Sequence, residues 1–195
     1  TIKEELELER LDCGNSKAFA VADHQVAHVY INDTSIESRI RSLLETTPGV
    51  ASVWGAEEKR ANGISHQRAG NLIVTSAENA WFTYYYWMDD RLAPDFARCV
   101  DIHRKPGYDP VELFKAPGRG SMPRVMFKLL KKKMGFRMLM DVIPLDATIV
   151  KGSHGCRPSD QADWPLLISK QAGLATDTPL KSTDVYSVLR SHILG

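Results

Sequence analysis

The chain has 195 residues, of which 43% are hydrophobic and 25% are charged, and its formal net charge is +1. This near-neutral balance argues against a nucleic-acid-binding protein, which is usually more basic. A transmembrane segment is also not expected, because no run of about eighteen apolar residues occurs. Three widely spaced cysteines without a CxxC pair (Cys13, Cys99 and Cys156) argue against a disulfide framework, so a cytoplasmic location is expected.

Apolar patterning predicts five strands in the first half of the chain. They cover residues 18–22, 25–31, 50–54, 72–75 and the aromatic-rich 81–87. Between the second and third strands, Thr34 and Glu37 have the spacing of a capping box and begin a helix that Pro48-Gly49 ends. A second helix is expected near 56–61, and the charged residues 1–5 predict a helical stretch rather than a signal peptide.

The second half of the chain has a more broken pattern. Several prolines between residues 88 and 114 predict loops there. A basic helix is predicted over 123–135. Further strands are predicted over 146–150 and 164–168, followed by a final helix over 183–193. Because strands and helices alternate along the chain, the predicted class is α/β.

A histidine in a tight turn is the first candidate for chemistry. Residues 151–155 read Lys-Gly-Ser-His-Gly, so His154 stands between small residues. Its imidazole can therefore reach the rim of a sheet with little obstruction from the backbone, and a neutral imidazole is a common metal ligand. Taken alone, the turn is also compatible with a histidine that bonds to a nearby backbone group.

The turn at 151–155 and the Thr183-Asp184-Val185-Tyr186 segment together resemble the end of the type I phosphodiesterase/nucleotide pyrophosphatase family, within the alkaline phosphatase superfamily. The resemblance covers most of 18–87 and 145–194. It implies an alkaline-phosphatase-like α/β fold in which residues 1–195 are a single C-terminal portion and 88–145 are an insertion. It further implies two zinc ions, with His154 ligating one of them, and a small phosphate ester as substrate.

In that family the nucleophile, a Thr or Ser, and most metal ligands precede the region that this chain resembles. The catalytic residues are therefore expected outside this sequence, and the chain alone is expected to be inactive. Asp23-His24 is similar to the family's Asp-His-Gly ligand segment, but Gln25 replaces the glycine, so the pair is interpreted as the start of a strand. His28 and His66 are interpreted as structural or surface histidines, and Cys156 as a loop residue rather than a ligand.

Half of an α/β fold exposes sheet edges and apolar surface. Self-association, or association with the missing N-terminal half, is therefore expected.

The segment after residue 100 contains a second candidate site. In an extended chain Asp101 and His103 point to the same side, so both can ligate one cation. Alternatively, Asp101 orients His103 by a hydrogen bond. Arg104 and Lys105 add positive charge suited to binding a phosphate substrate. A solvated basic turn beside an Asp–His hydrogen bond is the other interpretation.

Two hypotheses outside metal-dependent hydrolysis are also open. The chain can be a non-catalytic module whose Lys131–Lys133 cluster binds an acidic ligand or an anionic membrane surface. It can also be a degenerate relative that kept the fold and lost the metals. The aromatic run from Trp81 to Trp87 is interpreted as a strand covered on both faces, or as a wall that stacks a flat group.

Overall fold

The computed structural model describes residues 1–99, 111, 114, 121–170 and 178–194, and the chain divides into two compact units, Thr1–Cys156 and Arg157–Gly195. The strands of the first unit are β1 (Ile2–Glu5), β2 (Leu8–Leu11), β3 (Ala18–Asp23), β4 (Val26–Ile31), β5 (Val50–Trp54) and β6 (Leu72–Ser76). Its α-helices are α1 (Glu37–Glu45), α2 (Ala56–Ala61) and α3 (Ser121–Lys133). The second unit contains α4 (Val185–Leu194).

The N-terminal segment is a β-hairpin, so the prediction of a helical stretch over 1–5 is wrong. β1 pairs with β2 in antiparallel fashion, with Ile2 opposite Leu11. The two connecting residues, Leu6 and Glu7, have φ angles of 54° and 61°. Two positive φ angles in a two-residue loop match the twist of the flanking strands. Five residues are too few for a stable isolated helix, whereas pairing with β2 satisfies their backbone groups.

Four of the predicted strands form one antiparallel sheet in the order β3-β4-β6-β5. The boundaries of these strands agree with the sequence prediction within one residue. Along β4, Ala27, Val29 and Ile31 are buried and alternate with half-buried residues. They pack against Leu72 and Val74 of β6, which are almost fully buried. Strands and helices occur together, as predicted, and all the described strand pairs are antiparallel.

Helix α1 packs against the core of this sheet through Ile40 and Leu44, together with Ile36 of the 3₁₀ turn that precedes it. These side chains are half-buried, so each contributes less than the ~1.5–3 kcal/mol of a fully buried one. The predicted helix is confirmed, but its predicted capping box is wrong. Asp33 is the residue that caps the preceding 3₁₀ turn, since its side chain accepts hydrogen bonds from the backbone N–H and the hydroxyl of Ser35.

The aromatic run 81–87 is not a strand, contrary to the prediction. Its rings pack around the buried Trp87 instead. The Tyr85 ring stacks on it at a centroid distance of 4.7 Å, and Tyr84 and Tyr86 meet it edge-on. Aromatic residues favour strands only where a neighbouring strand offers a pairing edge, and here local ring packing dominates.

Two further predicted strands are also wrong. Within 146–150, Ala147–Ile149 forms a 3₁₀ turn, because the Asp146 side chain accepts a hydrogen bond from the Thr148 N–H at 3.0 Å. In the second unit, residues 165–168 are irregular and Ile168 is 86% exposed. Pro165, which lacks an N–H donor, disfavours strand pairing there.

The predicted basic helix and final helix are confirmed as α3 and α4. Ion pairs link α3 to the segment that follows it, because Arg124 and Lys128 both contact the carboxylate of Asp141. Apolar side chains in and just after α3 are at least half exposed: Met122, Met126, Phe127, Leu129, Leu130 and Met134. Among the described residues, no helix is both long enough and apolar enough to cross a membrane.

Candidate functional site at the glycine–histidine turn

The turn that contains His154 lies against the tight turn between β3 and β4. In that tight turn His24 has a φ of 56°, in the left-handed region. The backbone N–H of the next residue, Gln25, donates a hydrogen bond to the His154 carbonyl at 3.1 Å. Two segments separated by about 130 residues along the sequence therefore meet at one corner of the sheet.

The imidazoles of His24 and His154 are in close contact, in a tilted arrangement. Their ring centroids are 4.1 Å apart and the planes are inclined by 32°. His24 is only 4% exposed, whereas His154 is exposed to solvent. The Nδ1 atom of His24 lies 3.1 Å from the Ser153 hydroxyl, within hydrogen-bonding distance. The buried His24 imidazole thus makes two contacts with the turn at 151–155, one with the accessible His154 ring and one with the Ser153 hydroxyl.

Gln25 joins three segments through its buried amide. Its Nε2 donates to the carbonyls of Glu78 and Ala80, at 3.4 Å and 3.3 Å, in the loop after β6. Its Oε1 accepts a hydrogen bond from the Cys156 N–H at 3.3 Å. Its backbone carbonyl accepts one from the Ser76 N–H at 2.9 Å. The Gln25 side chain is 7% exposed, so these bonds satisfy polar groups that water does not reach freely.

Gly155 allows the turn to approach this closely. Its φ is 126°, a conformation that residues with a side chain rarely adopt. A Cβ atom at this position would lie 3.3 Å from both the backbone nitrogen and the Cβ of Gln25. Gly152 is different, because a Cβ there would meet nothing within 4 Å. Of the two glycines that flank the Ser-His pair, Gly155 is the one that the docked turn requires.

An open cleft of about 560 Å³ adjoins the turn. It is lined by the loop after β6 and by the approach to the turn: Glu78, Asn79, Ala80, Trp81, Ala147, Thr148, Val150, Lys151, Gly152 and Ser153. The Lys151 ammonium donates to the Thr148 carbonyl at 2.8 Å. The Thr148 hydroxyl and N–H hold the pKa of Asp146 below its usual range, so this carboxylate stays ionised beside the cleft.

The other histidines named in the sequence analysis have local backbone contacts. His28 Nδ1 accepts a hydrogen bond from the Gly70 N–H at 3.0 Å, which ties the loop before β6 to β4. His66 Nδ1 accepts one from the Arg68 N–H at 3.1 Å on the exposed surface. These are structural and surface positions, as predicted. Asp101, His103, Arg104 and Lys105, the second candidate site, lie outside the described residues.

The interpretation of Asp23-His24 as the start of a strand is wrong, because Asp23 is the last residue of β3 and His24 lies in the turn before β4. The Asp23 carboxylate lies 3.7 Å from His24 Nε2 and is largely exposed. Sequence reasoning missed that His24 and Gln25 support the His154 turn. The available signal was a pair of polar residues between two apolar strands, which points to a buried polar contact without naming its partner.

Within the described ranges, no three His, Cys, Asp or Glu side chains are grouped so that they could hold a metal ion. His154 is thus an accessible imidazole on a fixed turn, able to provide one ligand but not, with its described neighbours, three. Comparison of the chain with protein-family models, curated proteins and solved structures gave no match.

Proposed function

We propose that this chain is the C-terminal part of a metal-dependent hydrolase similar to the phosphodiesterase/nucleotide pyrophosphatase family. His154 provides one ligand to one of two zinc ions, and the Thr or Ser nucleophile belongs to residues outside this sequence. The antiparallel sheet would then form part of an alkaline-phosphatase-like α/β fold. Asp101 and His103 are proposed as further ligands, and Arg104 and Lys105 as substrate-binding residues, on the sequence argument alone.

The observation that supports this proposal is that the His154 imidazole is exposed although the turn that contains it is held in place. The imidazole is accessible, while its turn is fixed by hydrogen bonds to Gln25 and by the buried His24 ring. A metal-ligating histidine needs this combination, because orientation by neighbouring groups raises its affinity for the ion. A zinc ion at such a site polarises a phosphoryl oxygen and lowers the pKa of the nucleophile.

The cleft beside the turn suits a phosphate ester. Lys151 lies on its wall and supplies positive charge for an anionic group. Trp81 provides an aromatic surface in the same cleft, which favours a flat substituent on the ester. The carboxylates of Glu78, in the wall of the cleft, and of Asp146, near Lys151, disfavour an anion, so we expect the phosphate group to contact the Lys151 ammonium directly.

The test uses the longest natural polypeptide that carries this sequence, reconstituted with zinc. His154→Ala should reduce the bound zinc from about two ions to about one and lower hydrolysis of an aryl phosphodiester at least 100-fold. His66→Ala, an exposed histidine outside the site, serves as the matched control and should change neither. Equal zinc content in wild type and His154→Ala would refute the assignment, as would fast zinc-dependent turnover by the 195-residue chain alone.

The exposed face of α3 favours a second function, binding to an anionic membrane surface. The helix is held through its polar residues Arg124 and Lys128, while its Met, Phe and Leu side chains face solvent. Lys131–Lys133 add positive charge at its C-terminal end. An amphipathic basic helix of this kind lies in the headgroup region of acidic bilayers. Sedimentation with phosphatidylserine vesicles, but not with phosphatidylcholine vesicles or in high salt, would support this function.

A further inference from the structure

We infer that Gln25 and His24 are positioning residues for the His154 imidazole. This inference rests on the proposed function, because positioning matters only if His154 acts as a ligand. Both residues are buried beneath the turn, so they act through His154 and Ser153 rather than on a substrate. His24 and Gln25 belong to the tight turn between β3 and β4. The residue that they orient, His154, lies about 130 residues further along the chain.

Gln25 fixes the backbone on both sides of the His154 side chain. Its N–H donates to the His154 carbonyl, and its Oε1 accepts from the Cys156 N–H. The same amide donates to the Glu78 and Ala80 carbonyls, which anchors it to the loop after β6. An apolar side chain of similar size would keep the packing but would leave the Cys156 N–H without this acceptor. The turn would then be held less firmly, because the bond from the Gln25 backbone N–H to the His154 carbonyl would remain and the side-chain bonds would be lost.

His24 limits the orientation of the His154 ring itself. The two ring centroids are only 4.1 Å apart, so rotation of the outer ring is hindered by the inner one. The inner ring is held in turn, since its Nδ1 contacts the Ser153 hydroxyl and its backbone carbonyl accepts a hydrogen bond from the Phe82 N–H at 2.6 Å. A ligand that is already ordered loses less conformational entropy when it binds an ion.

The test compares Gln25→Leu with Lys59→Met. Lys59 is also buried and donates to two backbone carbonyls, of Gly70 at 2.6 Å and Asn71 at 2.9 Å. These two residues precede β6, whereas Gln25 bonds to Ser76 at the end of β6. Both variants remove buried hydrogen bonds and lower the unfolding midpoint. In histidine-selective NMR spectra of the 195-residue chain, the wild type and Lys59→Met should show contacts between the His24 and His154 rings. In Gln25→Leu these contacts should be weaker than in the wild type.

Ring contacts of unchanged intensity in folded Gln25→Leu would overturn the inference. Should Gln25→Leu fail to fold, Gly155→Ala displaces the same turn by placing a Cβ against Gln25, with Gly152→Ala as its matched control. Loss of the contacts in Gly155→Ala alone would support the inference, and their retention would overturn it.

A second measurement separates this inference from the proposed function. In the longest natural polypeptide, Gln25→Leu should weaken zinc binding 10–100-fold, the range found for groups that orient metal ligands, while Lys59→Met leaves it unchanged. If zinc content does not depend on His154 at all, the proposed function fails whatever the NMR result. If zinc depends on His154 but not on Gln25, the positioning role fails and the proposed function stands.

Discussion

The buried ring of His24 lies 4.1 Å beneath the exposed ring of His154, although about 130 residues separate them along the chain. This contact links a tight turn of the sheet to a turn rich in small residues. The position of the outer imidazole therefore depends on the folded sheet as well as on its own turn. Substitution of other residues that hold this turn in place should therefore have measurable effects on the protein.

The two glycines beside His154 should respond differently to alanine. Gly155→Ala forces a side chain into a φ of 126° and towards Gln25, so we expect a loss of about 1–3 kcal/mol in the free energy of unfolding. Gly152→Ala meets open space and should change this free energy by less than about 0.5 kcal/mol. Urea denaturation followed by tryptophan fluorescence measures both. Equal effects of the two substitutions would show that the turn is not docked as described.

Lys59 should be a strong contributor to stability. Its ammonium is buried and donates to the Gly70 and Asn71 carbonyls, which hold the loop that leads into β6. Lys59→Met keeps the length of the side chain but removes both donors, so we expect a loss of roughly 2 kcal/mol or more. Lys132→Met, on an exposed part of α3, is the control and should have almost no effect. Urea unfolding curves with no difference between the two variants would contradict this role.

Local patterns in the sequence were sufficient to predict many of the strands and helices. The alternation of β4 and the spacing of the apolar residues of α1 are set by burial against one sheet, so periodicity identifies them. The hairpin β1-β2 and the aromatic run around Trp87 were mispredicted, because pairing partners and ring contacts are not visible in a single window.

The candidate site could be predicted only in part. The small residues beside His154 were enough to predict that its imidazole would be accessible. Nothing local to His24 or Gln25 indicated that they would meet residues 153–156, since that contact depends on how the whole sheet folds. Nor did the sequence distinguish Gly152 from Gly155, because backbone conformation and close approach are properties of the folded turn.

Stability should depend on pH through Glu58. The Arg41 guanidinium, at 2.8 Å, and the backbone N–H groups at the start of α2 lower the pKa of Glu58 from 4.5 to about 2. Because the folded pKa lies below the unfolded one, the stabilisation is complete above pH 4.5 and is lost as the pH falls towards 2. Glu58→Gln should therefore flatten the decline of the unfolding midpoint over this interval. Midpoints of wild type and Glu58→Gln that fall in parallel would exclude the effect.

The exposed face of α3 should cause association. Phe127 and Leu130 are more than half exposed, and neighbouring Met side chains extend the same apolar surface. Surfaces of this kind are usually covered by another chain or a membrane. Phe127→Ser with Leu130→Ser should therefore lower the apparent mass in light scattering, or abolish binding to acidic vesicles, depending on which occupant covers the helix. Met88→Ser, at an exposed position elsewhere in the same unit, is the control and should leave both readouts unchanged. A wild-type chain that is monomeric and does not bind vesicles would contradict both forms of the prediction, because its apolar face would then be stable in water.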